Sequence, residues 1–114
     1  MRRLSFPVLL VLSIFTQNAI AVGNAEMYEV DFVRVDKSGF GYVKFKNNLT
    51  GTPASCTQAG YESVLAFNTN EEGGKAILSI VLSAQASGKK LLARGTGACA
   101  IYGVMEQWDW GYIK

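Results

Sequence analysis

Lys75 to Ala86, KAILSIVLSAQA, is where the hydrophobic period of the chain changes. Ile77, Leu78, Val81, Leu82 and Ala84 form a helical stripe rather than the strict alternation of a strand. Ahead of it, Thr69-Asn70-Glu71-Glu72 resembles a capping box, and Gly88 stands where a helix stop belongs. Gly73-Gly74 weakens the first turn, so the spacing predicts one helix over about residues 72–87, frayed at its start. Ile77, Val81 and Ala84 should face a sheet, with Lys75 and Gln85 in water. Ser79, Ser83, Ala84, Ala86 and Ser87 are small enough for this helix to lie flat across a small sheet.

Strand-like runs flank the helix on both sides. Glu26 to Val35 (EMYEVDFVRV) is β-branched and aromatic, and ends in the polar turn Asp36-Lys37-Ser38-Gly39. Phe40 to Lys46 (FGYVKFK) follows directly, so the two runs read as a β-hairpin. Asn47 to Gly60 is polar, punctuated by Gly and Pro, and reads as a loop. Tyr61 to Phe67 is a third strand and Lys89 to Arg94 a fourth. Gly95-Thr96-Gly97 then turns the chain into a tail, Cys99 to Lys114, with one or two more. In that tail Trp108, Trp110 and Tyr112 alternate with Asp109, Gly111 and Ile113, which on a regular strand puts three aromatics on one face.

Strand, strand, strand, helix, strand, strand in about 90 residues is the element order of an OB-fold, a five-stranded Greek-key barrel with its helix between the third and fourth strands. An open antiparallel α+β sheet covered by one helix is the alternative.

The N-terminus sets the compartment. Arg2 and Arg3, the apolar run Val8 to Phe15 and the small-x-small site Ala19-Ile20-Ala21 read as a secretory signal peptide over residues 1–21. A single domain, residues 22–114, remains as the exported chain, periplasmic or secreted. Arg2-Arg3 also opens twin-arginine signals, but the Phe and Lys context of that route is out of register or absent. With no Cys near the cleavage site, a lipid anchor there is excluded. No apolar run reaches the length of a membrane helix, about 18 residues, so no membrane insertion is expected after cleavage. Asn48-Leu49-Thr50 matches a glycosylation sequon, which would be accidental in a bacterium.

Without Arg2 and Arg3, nine basic residues face nine acidic ones. A neutral domain lacks the electrostatic footprint of a nucleic-acid binder. Lys89-Lys90 with Arg94 is the one positive cluster, and it reads as a solvated strand start. Cys56 and Cys99 are the two cysteines, and there is no histidine. In an oxidising compartment they read as one disulfide. It would close a loop of about 43 residues, which the chain-entropy account values at roughly 4 kcal/mol. Two Cys without His cannot make a zinc site, and no metal or cofactor is expected.

From Leu78-Ser79-Ile80-Val81-Leu82-Ser83-Ala84-Gln85-Ala86-Ser87-Gly88-Lys89-Lys90 through Arg94-Gly95 to Cys99, the chain resembles a family of small, uncharacterised proteins exported by Gram-negative bacteria. There, a helix ending in Ala-x-Ala-Ser-Gly-Lys leads into a strand, a Gly turn and a Cys. In element order, signal peptide and disulfide it looks more distantly like the binding subunits of pentameric AB-type toxins, of the subtilase cytotoxin kind. That likeness implies a sugar-binding OB-fold that assembles as a homo-oligomeric ring; no site residue carries over from it, and fold likeness alone does not transfer function.

The residues themselves point to binding. Trp108, Trp110 and Tyr112, with Gln107 and Asp109, offer flat apolar faces beside hydrogen-bonding groups, suited to a glycan or to another protein. The competing reading is that the stripe fills the core. Carboxylate pairs exist at Glu71-Glu72, Glu106 with Asp109, and Glu29 with Asp31. Each also reads as a helix start, a turn or a solvated strand side, so a non-enzymatic binding module is the expectation. The braced loop Asn47 to Gly60 also suits an inhibitor or immunity protein.

Overall fold

The computed structural model describes residues 21–114 and, before them, Ser5, Pro7, Leu10 and Val11. Arg2, Arg3, most of the apolar run and Ala19, on which the signal-peptide reading rests, lie outside the described residues. Seven strands and one helix follow in order: β1 (Gly23–Tyr28), β2 (Val30–Val35), β3 (Phe40–Phe45), β4 (Thr50–Gly51), β5 (Val64–Asn68), α1 (Glu72–Ser87), β6 (Leu91–Gly95) and β7 (Trp108–Ile113).

The strands make two antiparallel sheets, ordered β4-β1-β6-β7 and β2-β3-β5. The long first run divides between them. Met27 is an extra residue between the pairs Glu26 with Leu92 and Tyr28 with Leu91, and it adopts φ +60°. A second register shift falls between Val30 and Phe32. Two irregularities this close bend the chain, so β1 serves one sheet and β2 the other. The β2–β3 hairpin forms as expected, closed by Asp36 N–H to the Phe40 carbonyl at 2.7 Å.

The closed five-stranded barrel is not what forms: neither sheet closes on itself, and the open α+β alternative describes the arrangement better. Among the described residues the two sheets meet edge to edge at one parallel bridge, Ala66 with Gln107, where Ala66 N–H donates to the Glu106 carbonyl at 2.9 Å. Beyond the bridge, a bulge in β7 bends that strand.

α1 spans the predicted residues. Val81 and Ala84 are buried, Ile77 packs against the core, and Lys75 and Gln85 are exposed. Gly88 ends it in the left-handed conformation. The capping box does not form: Glu71 is the N-cap, no side chain caps the helix, and the Thr69 hydroxyl donates instead to the Gly39 carbonyl at 2.6 Å.

Two apolar clusters result. The main one unites Ala25, Val43, Phe45, Leu65, Val81, Leu91 and Trp108. The second contains Tyr42, Val64, Ala66 and Met105, flanked by Ile101, Tyr102 and Val104. Because Tyr42 alternates with Val43 and Ala66 with Leu65, the second cluster lies on the outer face of β3 and β5. The segment between β6 and β7, residues 96–107, therefore roofs that face. The Cys56–Cys99 disulfide, with Cα atoms 6.1 Å apart, ties the roof to the loop before β5, as the sequence predicts. Gln58 N–H adds a bond to the Val104 carbonyl at 2.9 Å.

Candidate binding face

The expected aromatic stripe is split by its own strand. Arg94 pairs with Trp110 and Gly95 with Trp108, so β7 advances two residues while β6 advances one, and Asp109 is the bulged residue. A bulge reverses the alternation. Trp108 turns inward and is 6% exposed, whereas Trp110 and Tyr112 turn outward at 51% and 46%. Gly111 makes room for the inward indole: a Cβ there would stand 2.5 Å from the Trp108 ring. The expectation that all three aromatics share a face is thus corrected.

On the outer face of β1, β6 and β7 the pleat sets two cross-strand rows. Asn24, Arg94 and Trp110 make one; Glu26, Leu92 and Tyr112 make the other. Arg94 is fixed from both sides. Its Nη1 is 2.9 Å from Glu26 Oε1, and its guanidinium lies 5.8 Å from the Trp110 ring centroid. An indole, a phenol and a pre-oriented guanidinium–carboxylate pair therefore lie on one open sheet surface.

The other two residues of the predicted site lie elsewhere. Asp109 is exposed at the bulge, and Gln107 is half-buried at the seam between the sheets. Arg94 stood in the sequence only as part of a basic strand start, and Glu26 carried no signal. Cross-strand register brings them to the aromatics.

The carboxylates take structural places. Glu106 is fully buried and accepts from three backbone N–H groups: Gly23 at 3.0 Å to each oxygen, Ala54 at 2.7 Å and Gly97 at 3.1 Å. Its carboxyl occupies the space a Cβ at position 95 would need, so Gly95 is what admits it. Glu29 is paired with Lys46 at 2.8 Å, a bond that holds its carboxyl below the ordinary range. Asp36 is lowered by the hydrogen bond from the Tyr102 hydroxyl and then by Arg34, while burial and the same carboxylate push the Tyr102 phenol up. Among the described residues no group of three His, Cys, Asp or Glu side chains could hold a metal, and no helix is long and apolar enough to cross a membrane.

No family model, curated protein or solved structure matches the chain.

Proposed function

We propose that this protein is an exported binding module, without catalytic activity, that takes a glycan on the open face of β1, β6 and β7. The observation that carries the reading is the half-exposed pair Trp110 and Tyr112 beside an Arg94 already held in place by Glu26. Aromatic faces suit the C–H faces of sugar rings, and a guanidinium and a carboxylate suit ring hydroxyls. Little ordering remains to be done on binding, since the residues sit on paired strands and the ion pair is formed beforehand. The Cys56–Cys99 bridge fits an oxidising, extracytoplasmic compartment.

The order of pairing supports an OB-type wiring. The bent β1–β2 run touches β3 and β6, β3 touches β5, β6 touches β7, and the Ala66–Gln107 bridge lies where a partly open barrel of this kind would close. This wiring is compatible with the toxin-subunit resemblance.

A glycan array probed with the wild type, Trp110→Ala and Tyr112→Ala tests the reading. Binding by the wild type and its loss in both variants, with melting temperature retained, is the expected result. Silence on the array, together with capture of a periplasmic protein that Trp110→Ala does not disturb, would favour the second reading, an inhibitor acting through its braced loop. That reading draws on the exposure of Ser55 and Cys56 and of Gln58 to Gly60.

A further inference from the structure

At the seam where the two sheets touch by one bridge, a cavity of about 350 Å³ opens between β5, the first turn of α1 and the roof segment. This volume is near the lower end of ligand pockets, roughly 300–1,000 Å³. Phe40, Ile77 and Trp108 supply apolar wall. Gln107 lines it too, and its Oε1 is buried without a hydrogen-bond partner among the described residues. A buried carbonyl left unpaired is unfavourable, so a donor brought to this acceptor would be stabilising. Gly73 and Gly74 line the same cavity at a helix start that no side chain caps, beside the Glu71 carboxylate.

We propose that this cavity is a second ligand site, distinct from the sheet face, for a neutral hydroxylated ring the size of one pyranose. The lining selects the class. An anionic ligand would meet Glu71, and a cationic one would meet the N–H groups of the helix start. Hydroxyls both donate and accept: one donates to Glu71, or to Gln107 Oε1 once that buried amide turns toward the cavity, and another accepts from Gly73 or Gly74. The apolar face of the ring lies against Trp108 and Phe40. Small size favours a single ring over a chain of them. The site stands on the cavity lining and does not depend on the sheet face being a glycan site.

The experiment is a titration of the ¹⁵N-labelled exported protein with D-glucose, D-galactose, D-mannose and N-acetyl-D-glucosamine, each alone, read at the amide signals of Gly73, Gly74 and Gln107. At least one sugar should give saturable shifts there. Gly73→Phe should weaken that binding at least about tenfold without lowering the melting temperature, because a Cβ at position 73 enters open space. Ala100→Trp, on the opposite wall, provides an independent block. Gln107→Leu should also weaken binding while leaving stability unchanged or higher, since it removes an unpaired acceptor. Trp110→Ala should leave the titration intact, which separates this site from the sheet face. Absence of saturable shifts with all four sugars, undiminished binding in Gly73→Phe and Ala100→Trp, or loss of the shifts in Trp110→Ala would each overturn the proposal.

Discussion

The outer faces of the two sheets carry the same chemistry and have opposite fates. On β2-β3-β5, Phe32 and Tyr102 pack edge-on to Tyr42, and the Arg34 guanidinium lies 5.7 Å from the Tyr42 ring centroid. On β1-β6-β7, Trp110 and Tyr112 stand with Arg94. Residue type does not separate the two faces. Covering does: the segment from Thr96 to Gln107, pinned by a disulfide and by Glu106, lies over β3 and β5 and buries Tyr42 while leaving Phe32 40% exposed at the β2 edge, whereas no described residue lies over Trp110 and Tyr112. An aromatic beside an arginine is left open to a ligand only where the described chain has not already packed over it.

Glu106→Leu should have the largest effect. It leaves three N–H groups without an acceptor, those of Gly23 and Ala54 buried and that of Gly97 half-buried, at about 1–3 kcal/mol each, which approaches the whole stability of a small domain. Chemical denaturation should show a loss of roughly 3–6 kcal/mol. A near-neutral result would mean that the roof is held mainly by its apolar contacts and the disulfide. Next comes Trp108→Ala, which empties a core position and should cost about 3–5 kcal/mol. Cys56→Ser with Cys99→Ser should cost about 2–4 kcal/mol, and proteolysis should then begin within the freed roof. Cleavage starting in β7 instead would show that the bare sheet is the weaker of the two.

Trp110→Ala should change stability by less than about 1 kcal/mol, as surface substitutions do, and abolish glycan binding. Equal unfolding by Trp108→Ala and Trp110→Ala would erase the distinction between the two faces. The smallest effect belongs to Asp36. Its folded-state pKa is lowered, so its contribution is present above the ordinary aspartate value and is lost as pH falls through the folded one. Below about pH 4 the melting temperature of the wild type should therefore fall more steeply than that of Asp36→Asn. Parallel curves would show that the Tyr102–Asp36 bond does little to hold down the roof.

The helix, the hairpin, the disulfide and the β-rich class were legible in the sequence because each rests on a local pattern: a 3.6 period, a polar Gly turn, an even pair of cysteines. What was not legible depends on irregularity or on long range. Strict alternation cannot announce that Asp109 is bulged, so it puts Trp108 and Trp110 on one face. The break at Met27 has no Gly or Pro to mark it, so Glu26 to Val35 looks like one strand where two form. Thr69 fits a cap motif, yet the Gly39 carbonyl in the neighbouring hairpin turn takes its hydroxyl. Glu106 looks like an ordinary turn acid; its only trace is the glycines at positions 23 and 95 that leave it space.

Gly23 and Glu106 are separated by 83 positions. β1 likewise finds its longer neighbour only in β6, with Ala25 opposite Ala93. A chain emerging N-terminus first from a narrow pore therefore presents its opening segment long before most of its partners arrive. Contacts this distant in sequence form slowly and late. The same wiring that locks the finished domain keeps its leading end unlocked until the last strands have been made.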